Sequence, residues 1–67
     1  MSVARVTELS CTSSESFEDA VRQGIERATK TLRQVRGAWV KEMRVNVGRD
    51  GTLEFQANLL VTFVLED

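Results

Sequence analysis

The chain has 67 residues, with ten acidic and nine basic side chains and a formal net charge of −1. Because charges of both signs are interspersed, there is no electrostatic case for binding DNA, RNA or an anionic membrane. One cysteine and no histidine exclude an intrachain disulfide and a structural zinc site. A core this small rarely contributes more than about 5 kcal/mol. We therefore expect one domain over residues 1–67 that is stabilised by association with further copies.

No apolar run approaches the roughly 18 residues that span a bilayer, and the first residues do not resemble a secretion signal. A lone cysteine suits a reducing compartment. We therefore expect a cytoplasmic protein without a membrane partner.

The first half of the chain predicts a strand followed by a helix. Residues 3–9 contain two Val and one Thr, residue types that favour a pleated strand. From about residue 14 to residue 35 the apolar period changes to 3.6, and one stripe is formed by Phe17, Ala20, Val21, Ile25, Ala28, Leu32 and Val35. Gly24 interrupts the helix, either to allow close approach to a strand or a neighbouring subunit, or as a tolerated defect.

Cap chemistry predicts where this helix begins and ends. Thr12, with Glu15 three residues later, matches a capping box. Ser13 or Ser14 could cap the helix instead. Gly37 is the expected stop at the other end.

The second half of the chain predicts two strands joined by a hairpin. Residues 38–47 and Leu53–Leu65 flank residues 48–51, which contain the turn signal Asp-Gly. In the last strand the odd positions are all apolar and the even positions are mixed, so the odd face predicts a core.

These elements predict an α+β domain in which the order strand-helix-strand-strand builds a three-stranded antiparallel sheet around one helix. One helix has one apolar stripe and covers one face of the sheet. The even face of the last strand, which carries Gln56, is then expected to meet other copies of the chain.

The sequence offers little for catalysis. Histidine, the most common general base, is absent. Cys11 would be nucleophilic if a helix N-terminus lowered its pKa, but a small residue packed in a turn is the favoured interpretation. No glycine-rich phosphate loop and no calcium-binding loop is present. We therefore expect a binding protein without catalytic residues rather than an enzyme.

Three residues suit an aromatic heterocyclic ligand, and each has a structural alternative. Trp39 offers a flat stacking face. Its odd position shares parity with Met43 and Val45, so the side chain also fits a core or an interface. Gln56 can read a ring edge with its amide or pair across strands. Arg44 can contact a phosphate or a ring or pair with a neighbouring glutamate.

The chain resembles the dodecin family of small flavin-binding proteins along nearly its whole length. The resemblance rests on residues 11–13, which are usually Gly-Thr-Ser in the family, and on residues 28–33, 40–44, 54–56 and 61–66. It implies a sheet wrapped around the helix and a hollow homododecamer. It also implies a flavin (FMN or riboflavin) stacked between tryptophans at intersubunit sites, with Gln56 and Arg44 at the positions of two ligand contacts.

The tryptophan departs from the family pattern. In flavin-binding dodecins it stands where this chain has Gly37, whereas Trp39 lies two residues further along. In a regular strand this shift keeps the face but moves the ring by about 6.6 Å. Members of the family that lack the tryptophan have small residues here and are associated with calcium.

The sequence therefore leaves two functions to compare. The first is flavin binding and storage, with Gln56, Arg44 and a shifted Trp39 as ligand contacts. The alternative is a structural dodecamer with little flavin affinity that binds a metal ion such as calcium, or another small ligand, at symmetry axes. There the rotation axes would gather several copies of the acidic residues Glu42, Glu54 and Asp67.

Overall fold

The computed structural model describes residues 2–65, which fold into three strands and one helix. In chain order these are β1 (Val3–Ser13), α1 (Phe17–Thr31), β2 (Val35–Val47) and β3 (Leu53–Leu65). The strands form one antiparallel sheet in the order β1-β3-β2. The predicted α+β class and the strand-helix-strand-strand order are confirmed.

Strand β3 is the centre of the sheet, and its bounds agree with the prediction. We call the sheet face that contacts α1 the inner face and the opposite face the outer face. Ala57, Leu59 and Val61 on the inner face are fully buried, whereas Gln56 and Asn58 on the outer face are half-buried. The period-two pattern therefore identified the core face correctly.

Small residues allow α1 to approach the sheet closely. Ala20, Gly24 and Ala28 are the buried residues of the helix. A Cβ atom at Gly24 would collide with Cys11 Sγ and would lie 3.2 Å from Leu59 Cδ1. Of the two interpretations of Gly24, close approach to a strand is therefore correct.

The helix begins later than predicted. Strand β1 remains paired with β3 as far as Ser13, which lies opposite Phe55. The N-cap is Ser16, whose Oγ accepts a hydrogen bond from the N–H of Asp19 at 2.9 Å. The capping box predicted at Thr12 is wrong because that residue is still part of the strand, and none of the earlier hydroxyls caps the helix.

The helix also ends earlier than predicted. Leu32 is its C-cap, and Gln34 adopts the left-handed conformation with φ 55°. The Gln34 carbonyl accepts a hydrogen bond from the N–H of Val64 at 3.1 Å. The predicted stop at Gly37 is wrong, because pairing of β2 with β3 already begins at Val35 and competes with further helix.

The predicted hairpin between β2 and β3 is confirmed. The Gly48 N–H donates to the Thr52 carbonyl at 2.8 Å, and Gly51 has φ 85°, as expected of a three-residue loop with a left-handed glycine. The Thr52 hydroxyl and N–H donate to Asp50 Oδ1 at 2.7 and 3.1 Å. These hydrogen bonds hold the pKa of Asp50 below its ordinary value.

The inner face of β2 is left largely uncovered by the helix, which packs mainly on β1 and β3. Val40, Met43 and Val45 are 47%, 55% and 40% exposed. The radius of gyration is 13.7 Å, against about 11 Å for a compact domain of this length. The apolar surface that was expected on the outer face therefore lies mainly on the inner face of β2. An uncovered apolar face of this kind is typical of a subunit interface.

We expect Gly24→Ala to destabilise the protein by about 1–3 kcal/mol, because the added methyl group overpacks the contact with Cys11. In a Cys11→Ala background, Gly24→Ala should destabilise the protein clearly less, because Sγ is then absent. Denaturant titration of the wild type, both single variants and the double variant measures the coupling. Equal costs of Gly24→Ala in the two backgrounds would contradict this packing argument.

Candidate functional site

A β-bulge in β2 determines which face of the sheet Trp39 occupies. The register shifts between Val40 and Glu42, which leaves Lys41 as an extra residue on this strand. Such an extra residue reverses the alternation of side chains on one side of the bulge. Trp39 therefore lies opposite Leu60 on the outer face.

The core alternative for Trp39, based on its parity with Met43 and Val45, is therefore wrong. The side chain is 64% exposed and does not pack under the helix. A cleft of about 320 Å³ lies beside it and is lined by Arg36, Gly37, Ala38, Trp39 and Thr62. Gly37 also occupies the outer face, opposite Thr62, so the shift from position 37 to position 39 preserves the face.

The other two predicted contacts also lie on the outer face. Gln56 lies opposite Arg44 on β2 and opposite Thr12 on β1. Within residues 2–65 of one subunit, Arg44 forms no ion pair. The structure therefore places Trp39, Arg44 and Gln56 on one surface.

This surface does not bring Trp39 and Gln56 into contact with each other. Trp39 pairs with Leu60, which lies four residues beyond Gln56 on β3, or about 13 Å along the strand. The Glu42–Asn58 pair lies between them. Within one chain, Trp39 and Gln56 are therefore separate parts of the outer face.

The cross-strand pairing predicted as the structural alternative for Gln56 is confirmed, although sequence analysis did not identify its partners. Its Oε1 accepts a hydrogen bond from Asn46 Nδ2 at 3.0 Å. Its Nε2 donates to Ser10 Oγ at 3.1 Å and to Asn58 Oδ1 at 3.2 Å. Gln56 lies 46 residues from Ser10, so only the register of β1 on β3 could have suggested this contact.

An ion pair lies beside Trp39 on the outer face. Lys41 Nζ is 3.3 Å from Glu8 Oε1, and Glu8 lies opposite Leu60 on β1. The extra residue of the bulge thus extends across the central strand, a contact that sequence analysis also missed.

Cys11 is poorly suited to nucleophilic chemistry. It lies in β1 rather than in the predicted turn, it packs against α1, and only 8% of it is exposed. Burial raises the pKa of its thiol above the ordinary value, which disfavours the reactive thiolate. A pKa lowered by the helix N-terminus is therefore contradicted.

Residues 2–65 of one subunit contain no group of three or more His, Cys, Asp or Glu side chains that could hold a metal ion. Glu42 and Glu54 both lie on the outer face, opposite Asn58 and Asn46. Asp67, the third predicted acid, lies outside the described residues. Within the part of the chain that the structure describes, the helix is not long and apolar enough to cross a membrane.

Sequence comparison relates the chain to one family. The sequence model of the dodecin family matches residues 3–66. A dodecin from Thermus thermophilus is 42% identical to the chain over 65 residues, which cover 97% of this chain and 94% of that protein.

Solved structures are similar over the same length. A crystal structure of a Thermus thermophilus protein aligns with a TM-score of 0.91 and 40% identity, covering 100% of this chain and 98% of the other. A crystal structure of calcium dodecin from Mycobacterium tuberculosis, described as having a novel calcium-binding site, aligns with a TM-score of 0.88 and 28% identity. That alignment covers 96% of this chain and 91% of the other.

The exposure of Trp39 predicts that the fold tolerates its loss. We expect Trp39→Ala to change the free energy of unfolding by less than about 1 kcal/mol, as is usual for surface positions. Leu59→Ala is the matched core control and should cost about 2–5 kcal/mol. Denaturant titration compares the two variants. If Trp39→Ala lowered the free energy of unfolding as much as Leu59→Ala does, the indole would have to lie in a buried environment.

Proposed function

Because the chain belongs to the dodecin family, we propose that it binds a flavin, FMN or riboflavin, and stores it without turnover. The sites lie between copies of the chain in a homododecamer. The observation that carries this proposal is the bulge at Lys41, which places Trp39 on the same outer face as Gln56 and Arg44.

Each of the three side chains has a role that follows from its chemistry. Trp39 stacks on the isoalloxazine, and stacking of this kind contributes about 1–3 kcal/mol per ring in nucleic-acid systems. Gln56 hydrogen-bonds the polar edge of the ring system. Arg44 contacts the ring or the phosphate of FMN. The distance between Trp39 and Gln56 along the sheet supports a site that combines residues from different subunits.

Self-association is the second part of the proposal. The uncovered inner face of β2 supports it, because Val40, Met43 and Val45 are exposed in one subunit. A cytoplasmic location fits the free Cys11. The buried thiol with its raised pKa also supports a protein that binds rather than catalyses.

We expect the protein to quench the fluorescence of riboflavin and FMN at micromolar concentration. Trp39→Ala should weaken both affinities about 5- to 100-fold, given the energy of stacking. Arg44→Ala should lower the affinity for FMN more than the affinity for riboflavin, because only FMN carries a phosphate. Arg49→Ala in the hairpin loop is the control, with the same change of charge away from the outer face of the sheet.

Fluorescence titration and the absorbance of the purified protein test this proposal. Sedimentation on the same samples confirms that each variant assembles as the wild type does. A colourless wild-type protein that leaves both flavins unquenched would rule out flavin storage.

We also propose a second candidate function, a dodecamer that binds calcium. Gly37 at the position of the family tryptophan favours it, as does the similarity to the calcium dodecin of Mycobacterium tuberculosis. Glu42 and Glu54 supply carboxylates that symmetry would bring together from several copies. Oxygen ligands of this kind suit calcium.

If calcium binds, a chelator should lower the thermal midpoint and added calcium should restore it, because a ligand at 100 times its dissociation constant contributes about 2.7 kcal/mol. Glu42→Gln and Glu54→Gln should abolish this response, whereas Glu18→Gln on the exposed helix surface should retain it. A wild-type protein whose midpoint and assembly state are the same with chelator and with calcium would eliminate this candidate.

A further inference from the structure

The outer face carries a series of hydrogen bonds that passes through Gln56. This hydrogen-bond series begins at the Glu54 carboxylate. Asn46 Nδ2 donates both to Glu54 Oε1 at 3.2 Å and to Gln56 Oε1 at 3.0 Å. Asn46 thereby connects a charged acceptor on β3 to the amide oxygen of the candidate ligand contact.

The hydrogen-bond series continues from Gln56 to a second carboxylate. Gln56 Nε2 donates to Asn58 Oδ1 at 3.2 Å and to Ser10 Oγ at 3.1 Å. Asn58 Nδ2 then donates to Glu42 Oε1 at 3.3 Å. Both protons of the Gln56 amide nitrogen are therefore engaged by the protein itself.

The two carboxylates determine the donor-to-acceptor direction of every hydrogen bond in the series. An ionised carboxylate only accepts hydrogen bonds, so the amide beside each one must turn its nitrogen towards it. If Gln56 were reversed, two nitrogens would face each other at Asn46 and two oxygens would face each other at Asn58. The Gln56 amide therefore has one favoured orientation, with Oε1 towards β2 and Nε2 towards β1.

We propose that Glu54 and Asn46 are positioning residues that leave Gln56 Oε1 as the one hydrogen-bonding atom of this amide available to a ligand. Carbonyl oxygen has two acceptor sites, and Asn46 occupies one of them. The site therefore selects a heterocycle whose edge carries an N–H donor, as an imide edge does. This inference rests on the proposed role of Gln56 in ligand binding.

The test uses two flavins that differ at this edge: riboflavin, which has an imide N–H, and its N3-methyl derivative, which has none. We expect the wild type to prefer riboflavin by about tenfold, which corresponds to one hydrogen bond. In Asn46→Asp the new carboxylate can only accept, so Gln56 turns its nitrogen towards β2. The preference should then fall to near unity.

Asn58→Asp is the matched control, because it makes the same chemical change on the other side of the Gln56 amide. A carboxylate at this position still accepts from Gln56 Nε2, so the orientation of the amide and the preference for riboflavin should be retained. If Asn46→Asp also retains the preference, the positioning role is overturned.

A second measurement does not depend on flavin binding. The chain has three glutamines, Gln23, Gln34 and Gln56, so selective ¹⁵N labelling gives few side-chain amide signals. The Gln56 amide protons should show nuclear Overhauser contacts to Ser10 in the wild type and in Asn58→Asp, but not in Asn46→Asp. A wild type that binds neither flavin while showing this pattern would refute the proposed function and support the positioning. Contacts to Ser10 in all three proteins would overturn the positioning itself.

Discussion

The pairing of β3 with both of its neighbours is the constraint on which the rest of the structure depends. It fixes which residues of β1 and β2 share a face with each position of β3, because directly opposed residues in an antiparallel pair point to the same side. The inner face receives the helix, and the outer face collects Trp39, Arg44 and Gln56. The same pairing extends β1 to Ser13 and begins β2 at Val35, and it thereby shortens α1 at both ends.

The sequence predicted the parts of the fold that depend on an uninterrupted local pattern. The alternation in β3 is regular over its whole length, so its bounds and its core face were correct. The predicted C-terminal end of α1 was wrong because Leu32 and Val35 continue the helical period, although Val35 lies in a strand. Both residues pack against the core, so their burial satisfies either structure, and long-range pairing decides between them.

The face of Trp39 could not be predicted because alternation assumes a constant register. The register of β2 shifts between Val35 and Gly37 and again between Val40 and Glu42. The extra residue at the second shift is Lys41, which carries none of the glycine or proline signals that suggest an irregular strand. The prediction that the shift from position 37 to position 39 keeps the face was nevertheless correct, because both positions precede the bulge. The amide contacts of Gln56 could not be predicted for a related reason. Ser10 and Asn46 are distant from Gln56 in sequence, and only the strand register brings them to its amide.

In the proposed assembly the inner face of β2 supplies apolar contact area, and the outer face supplies the ligand contacts. The exposed apolar residues Val40, Met43 and Val45 lie on the inner face of β2, where their burial would favour contact between subunits in proportion to the apolar area removed from water. On the outer face, the amides of Asn46, Gln56 and Asn58 instead form a hydrogen-bond network within one subunit. The Gln56 amide therefore needs no ligand for its hydrogen bonds, because both of its protons and its oxygen already have partners. Loss of the proposed flavin contacts would therefore leave the apolar contact area of β2 intact. If the proposed assembly forms, this apolar area provides a physical route by which one fold could keep its association while the ligand at the outer face changes.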